Sequence, residues 1–352
     1  MKICFLGDGN SIHIQRWLDY FKNKGHEVHL ISFSHVSLDG IFVHKVGDVD
    51  INENGGNWRY LLQIKKIKSL LKEINADIVN AHYITSYGLI GALTGAKNLI
   101  LSAWGSDILV TPKKNIVYKA LTKFALNRSK LITSDSDIMT EEIIKMTKVK
   151  TITVPMGVEE NLLHLKRKEE EDIKILSLRT VNKNSNIDLI VKAFHKLSEI
   201  ENDKNIKLII TNSGSEMGNI KKMIKDMKLQ NRVEIKGFVS REEILELLTT
   251  SQIFISVLTS DSTSVTLLEA MATGVFPIVS NIPANRQWIE NGKNGLVIES
   301  FKEEDLFNAL RAAIKNSSLS EEAVQVNKKI IKERALWENN MRLVEKEMEE
   351  IV

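Results

Sequence analysis

The 352-residue chain reads as an α/β protein of two similar halves, each built on a parallel sheet. Three observations predict this. Short apolar strands alternate with helical segments, the pattern of βαβ units. The alternation stops at a polar run without periodicity, KRKEEED from Lys166 to Asp172, and then restarts. After Asn316 the pattern is helical to the end, with Trp337, Met341, Val344 and Met348 on one stripe.

The first half opens with the strand KICFLG, a helix around His13–Lys24, a stop at Gly25 and the strand EVHLISF. From Arg59 to Lys72 five basic residues and no acidic one accompany Ile64, Ile67, Leu70 and Leu71 at helical spacing. Such a helix fits an anionic membrane surface, or a solvated outer position with its apolar stripe on the sheet. The strand ADIVNAH, a Gly-rich helix around Tyr87–Gly95 and the strand LILSAWG follow. A helix near Val117–Leu126, the strand KLITSDS, a further helix and the strand TITVPMGV complete this half. The second half supplies the strands IKILSL, IKLIITN, RVEIKGF, QIFISVL, VFPIVSN and GLVIE with helices between them. The domains expected are therefore 1–165, a linker at 166–172, 173–330, and a terminal helix at 331–352.

Composition excludes several classes. Hydrophobic residues at 43% and charged residues at 26% are those of an ordinary globular protein. No apolar run approaches the ~20 residues that span a bilayer, and MKICFLGDG is interrupted too soon by Asp8 to read as a signal peptide. The single cysteine, Cys4, cannot form an intramolecular disulfide and fits a small core residue in a reducing cytoplasm. The net charge of +3 is mild and no aromatics interleave with the basic residues, which argues against nucleic acid. The scattered histidines have no metal-ligand spacing, and no Asp-x-Asp pair suggests a divalent ion.

The most informative stretch is SDSTSVTLLEAMATG, Ser260 to Gly274. Ser262, Thr263, Ser264 and Thr266 form a hydroxyl-rich turn that enters a helix at LLEAMA. The amides of Ser264, Val265 and Thr266 would then face outward at the positive end of the helix dipole, which is a phosphate seat. Glu269, one turn further in, can accept hydrogen bonds from vicinal hydroxyls such as those of a ribose. Asp261 lies eight positions before Glu269.

These residues resemble the retaining glycosyltransferases of family 4, whose motif is two glutamates separated by seven residues and followed by Ala-Met-Ala-x-Gly. Glu269-Ala270-Met271-Ala272-Thr273-Gly274 matches the second half of that motif, and Asp261 replaces its first glutamate. Pro155-Met156-Gly157-Val158-Glu159, Gly237-Phe238-Val239 and Glu290-Asn291-Gly292-Lys293-Asn294-Gly295-Leu296 match in order. The resemblance covers nearly the whole length. It implies the GT-B fold, two Rossmann-like domains facing across a cleft, with the C-terminal helices packing back toward the N-terminal domain.

It also implies roles. Glu269 would bind the ribose of a nucleotide-sugar, the Ser262–Thr266 turn its diphosphate, and Asp261 the sugar hydroxyls or only its own turn. Arg179 ends IKILSLR, where the family places an arginine on the donor phosphates with a lysine shortly after. Lys183 is that lysine or an ordinary loop residue, because the loop VNKNSNID departs from the family spacing. Phe238 and the backbone beside Gly237 would meet the base. Gly9, Asn10 and Ser11 follow the first strand in a Gly-rich turn that would approach donor phosphates and acceptor, or serve as a tight βα turn. His82 and the Trp104–Asp107 segment end neighbouring strands. His82, Trp104 and Asp107 would contact acceptor or sugar, with Asp107 alternatively a helix cap. Many members of the family carry histidine where this chain has Trp104.

The expected activity is a cytoplasmic retaining hexosyltransferase, with a UDP-sugar as first choice of donor and a GDP-sugar as second. The acceptor would be a glycan or lipid-linked hydroxyl in surface-polysaccharide assembly. No cofactor, metal or nucleic-acid partner is expected, and peripheral contact with the inner face of the plasma membrane fits the basic first half. The alternatives are a nucleotide-sugar 2-epimerase on the same fold, a non-catalytic nucleotide-sugar-binding protein, and a dinucleotide-dependent dehydrogenase. The absence of G-x-G-x-x-G with its downstream acid counts against the dehydrogenase.

Overall fold

The computed structural model describes residues 1–47, 58–201 and 205–352, and of 317–320 the backbone only. The chain forms two compact units, Met1–Met156 with Asn339–Val352, and Gly157–Glu338.

Among the described residues the first unit carries seven parallel strands: β1 (Lys2–Leu6), β2 (Glu27–Ser32), β3 (Phe42–Lys45), β4 (Ile78–His82), β5 (Leu99–Ala103), β6 (Leu131–Ser134) and β7 (Thr151–Thr153). Their order is β3-β2-β1-β4-β5-β6-β7. β3 went unrecognised in the sequence, because FVHK is short and lies at the sheet edge. β4 and β5 are buried at every residue, as strands covered on both faces must be. The basic segment is a 3-10 turn, Trp58–Gln63, leading into a helix, Ile64–Ile74. Its Ile67 and Ile74 are buried in the sheet's core and Lys65, Lys66, Lys68 and Lys72 are exposed, so the apolar stripe faces the sheet.

The described residues of the second unit form six parallel strands: β8 (Ile173–Ser177), β9 (Ile206–Thr211), β10 (Val233–Gly237), β11 (Ile253–Ser256), β12 (Phe276–Ser280) and β13 (Leu296–Ile298). Their order is β10-β9-β8-β11-β12-β13. Both sheets therefore reverse order once, at β1/β4 and at β8/β11. In open α/β sheets ligands bind outside the carboxyl ends of the strands at such a reversal.

The boundary between the units precedes the expected 166–172 linker. Val158 pairs with Leu336, and Val158 and Leu162 are buried in the second unit's core. Arg167, within the charged run, donates to the carbonyls of Leu248, Ser251 and Gly274. These contacts bind the run to the second unit. The C-terminal helix breaks once, between Ser317–Arg334 and Trp337–Glu349. Met341, Val344 and Met348 are fully buried, and the helix counts with the first unit from Asn339 onward. His26 and Tyr20 both hold Glu345, at 2.7 and 2.8 Å, and Asn340 donates to the carbonyl of Pro155.

Candidate active site

In the second unit, the helix Val265–Thr273 starts where β11 delivers the chain past the sheet. Leu267, Leu268, Ala270, Met271 and Ala272 are buried, and all five are good or tolerated helix formers. Ser264 caps it, its hydroxyl accepting from Leu267 N–H at 3.2 Å. Gly274 stops it at φ +78, a conformation costly for a Cβ-bearing residue. The first amides of this helix have no partner within it.

Arg179 leaves β8 and reaches this mouth. One guanidinium nitrogen lies 3.2 Å from an Asp261 carboxylate oxygen; the other lies 3.1 Å from Ser264 Oγ and 3.5 Å from Thr266 Oγ1. The other Asp261 oxygen accepts from Ser262 N–H at 2.9 Å. Asp261 thus does two things at once: it shapes its turn and it pairs with Arg179. Gln287 donates to Ser262 O and to Thr263 Oγ1, bracing the same turn. Lys183 is exposed on the 3-10 turn Lys183–Ser185. The next residue, Asn184, grips the Asp261 loop through Thr259 and Ser260. The loops carrying Arg179, Lys183 and Asp261 are therefore one assembly.

Glu269 is 6% exposed, and its carboxylate is met by the guanidinium of Arg241. Arg241 opens the helix Arg241–Thr250 behind a Ser240/Glu243 capping box. Arg241 was missed in the sequence. The signal was there: a cation in the first turn of a helix opposes the dipole and needs a compensating partner. Phe238, in the loop before it, is 80% exposed.

In the first unit, the loops after β1, β4 and β5 line a cavity of about 310 Å³, with His13, His82, Tyr83, Ser86 and Trp104 among its walls. Trp104 meets both imidazoles edge-on, with ring centroids 5.3 Å from His13 and 5.2 Å from His82. His82 is fully buried, and burial pushes its pKa down to about 3. Tyr83 sits at φ +67, unusual for a bulky residue, and opens a single π-helical turn, Ile84–Gly88. Ser11 is also on the wall.

Two expected contacts take different roles here. Asp107 is fully buried, with one oxygen accepting from Trp104 N–H (3.1 Å) and Gly105 N–H (2.9 Å) and the other from Ile84 N–H (2.8 Å). Burial raises its pKa against these hydrogen bonds, which lower it. It clamps the β4 and β5 loops and is not presented to a ligand. Gly9 donates its N–H to Ser32 Oγ at 3.1 Å and accepts from Gln15 at its carbonyl, so its amide is already used. A Cβ there would lie 2.5 Å from Val36, so close packing explains the glycine. Asn10 is exposed beside it, its N–H bonded to Asp8.

Residues 2–136 match the family model described as "Glycosyl transferase 4-like", and residues 159–332 match "Glycosyl transferases group 1". The chain is 23% identical over 301 residues to the N-acetyl-alpha-D-glucosaminyl L-malate synthase of Bacillus anthracis, covering 78% of this chain and 76% of that one. It is 24% identical over 314 residues to the alpha-monoglucosyldiacylglycerol synthase of Acholeplasma laidlawii, covering 79% and 78%. Its fold is shared with the crystal structure of Anabaena HepE in complex with UDP: TM-score 0.82 at 15% identity, over 99% of this chain and 100% of that one.

Proposed function

The chain belongs to the GT-B glycosyltransferases, a 4-like first half followed by a group 1 second half, and on that premise we propose that it moves a hexose from a UDP-sugar to a hydroxyl with retention at the anomeric carbon. The observation that carries this is Arg179 set across the amino end of helix Val265–Thr273, with Glu269 one turn inside. A diphosphate seated there meets a helix terminus and a planar guanidinium together. Both favour the negative charge that grows as the nucleoside diphosphate leaves, and Lys183 adds a second cation nearby. Glu269 takes the ribose hydroxyls, Asp261 the sugar, and Phe238 the base.

Retention is supported by the "alpha" products in the names of two relatives. The leaving phosphate takes the acceptor proton on the same face, so the protein's contribution is orientation and charge stabilisation. We assign no metal to the reaction, because Arg179, Lys183 and the helix terminus supply the positive charge. UDP as the nucleotide is supported by the UDP complex of the structural neighbour.

The acceptor is a glycan or lipid-linked hydroxyl bound at the first unit's cavity, and the protein works at the cytoplasmic face of the membrane. Among the described residues no helix is long and apolar enough to cross a membrane. Ile116 and Val117 are 78% and 58% exposed at the start of the helix Ile116–Arg128, flanked by exposed Lys113, Lys114 and Lys119. Trp58 stacks on Tyr118 at 5.7 Å and ties the basic 3-10 turn, with exposed Leu62, to this helix. Apolar tips in a lysine field suit an anionic bilayer surface.

A thermal-shift screen against UDP, GDP, ADP and NAD tests the donor. Stabilisation of about 2.7 kcal/mol is expected from UDP at 100 times its Kd, and no shift with any nucleotide sinks the proposal. Labelled UDP- and GDP-sugars with lipid extracts test the transfer, and NMR of the product reports the anomer. Conversion of the sugar nucleotide without an acceptor would instead mark an epimerase. Sedimentation with phosphatidylglycerol vesicles, compared with phosphatidylcholine, tests the surface contact.

A further inference from the structure

Four side chains on three adjacent strands form a buried line that ends at the cavity. Thr133 on β6 donates to Ser102 Oγ on β5 at 2.9 Å. Asn80 on β4 donates its amide nitrogen to Ser102 Oγ at 3.0 Å and to the Ile100 carbonyl at 3.3 Å. A carbonyl can only accept, so the Asn80 nitrogen must face it, and Asn80 Oδ1 is left facing His82 Nε2 at 2.8 Å. That oxygen can only accept as well. Nε2 therefore carries the proton, and in a neutral ring Nδ1 is a bare lone pair.

His82 Nδ1 is buried and has no hydrogen-bond partner among the described residues. Buried polar atoms are rarely left so. His82 lines the cavity, and so does His13, whose Nδ1 is likewise buried and unpartnered. The strained Tyr83 follows directly and is held by Asp107 through Ile84 N–H and by Ser102 O. Strain held this firmly at a cavity wall is a mark of a functional position.

We propose that His82 Nδ1 is the hydrogen-bond acceptor for the hydroxyl of the acceptor substrate, its tautomer fixed by Asn80, Ser102 and Thr133. The cavity then selects for a ligand that presents an O–H to this atom. This rests on the reading of the protein as a transferase to a hydroxyl. His82 positions the oxygen and does not take its proton, in keeping with the low basicity that burial gives the ring. Asn80 acts through His82 and is a positioning residue.

The test is 15N NMR of histidine-labelled full-length protein, with His82 identified by the resonance lost in His82→Phe. Protonated Nε2 and bare Nδ1 are expected between pH 5 and 8. Octyl α-D-glucopyranoside, galactopyranoside, mannopyranoside and N-acetylglucosaminide are then titrated in turn, and at least one should shift the Nδ1 resonance. His82→Phe should keep the thermal shift with UDP and lose about tenfold in acceptor kcat/KM, the weight of one neutral hydrogen bond. Asn80→Ala, which removes the acceptor facing Nε2, should release the tautomer and lower acceptor kcat/KM while keeping the thermal shift with UDP. A proton on Nδ1, a resonance unmoved by all four glycosides, or an unchanged acceptor kcat/KM overturns the proposal. Loss of the UDP shift in the wild-type protein would instead count against the transferase reading, and the tautomer measurement would still judge His82 by itself.

Discussion

Arg179 and Asp261, 82 residues apart in sequence, face each other at 3.2 Å, and the same guanidinium touches the Ser264 cap of the helix that follows. A cation and an anion share the mouth of one helix. Asp261 offsets part of the charge that Arg179 would offer a diphosphate, and it holds the guanidinium in place.

Opposite effects on binding and turnover follow for Asp261→Asn. UDP alone should bind about two- to fivefold tighter, since a partly exposed ion pair is worth roughly 0–1 kcal/mol, while transfer falls because the sugar loses a ligand. Arg179→Ala should weaken UDP at least tenfold, as expected for a lost charge-assisted contact. Calorimetry with UDP beside a transfer assay checks both. Tighter UDP binding by Arg179→Ala would contradict the assignment.

The Arg241–Glu269 pair should show coupling. Glu269 is buried and Arg241 is half exposed. Arg241→Ala leaves the carboxylate without its cation and should cost about 1–2 kcal/mol, less than a fully buried pair because water reaches the arginine side. Removing both should cost less than the two single changes added. Additive losses in urea unfolding would mean that the contact carries no energy.

Asp107 is expected to act on stability first. Asp107→Ala orphans three amides, those of Ile84 and Gly105 buried and that of Trp104 half-buried, and should destabilise the first unit by about 2–4 kcal/mol. Asp107→Asn keeps an oxygen for Trp104 and Gly105 and should cost less. UDP binding at the second unit should survive both. Hydrogen exchange at Ile84, Trp104 and Gly105 reads the local loss.

Two groups give opposite ionic reasons for acid sensitivity. An unfolded histidine binds a proton below about 6.5, whereas folded His82 resists until about 3. The unfolded state thus binds more protons across that interval, and stability falls as pH drops through it, by up to a few kcal/mol. Burial pushes the Glu345 carboxyl up, but hydrogen bonds from His26 and Tyr20 outweigh it and hold it below 4.5. Its contribution is present above its unfolded value and is lost as pH falls through the lowered one. His82→Phe should flatten the profile from 6.5 toward 3, and Glu345→Gln only its part below 4.5. Urea midpoints across pH 3 to 8 decide.

The fold and the hydroxyl-rich turn that enters the helix at Val265 were legible because they depend on local order. Apolar alternation marks parallel strands, and a hydroxyl run before LLEAMA marks a helix mouth, whatever lies around them. The short edge strand β3 was not legible, since its pairing with β2 comes from the neighbour and not from FVHK itself. Nor was the attachment of the charged run, because Arg167 finds its three carbonyls only once the second unit is folded.

The sequence by itself determined two parallel-sheet halves, the helix that begins at Val265, and which residue types stand at the strand ends. Tertiary structure alone decided what those residues do. It turned Asp107 inward onto three amides, brought Arg241 to Glu269 and oriented Asn80 so that His82 is left with a bare nitrogen. The reason is physical: periodicity is written between neighbours in the chain, whereas a buried polar atom's partner is set by whichever strand or loop packs beside it.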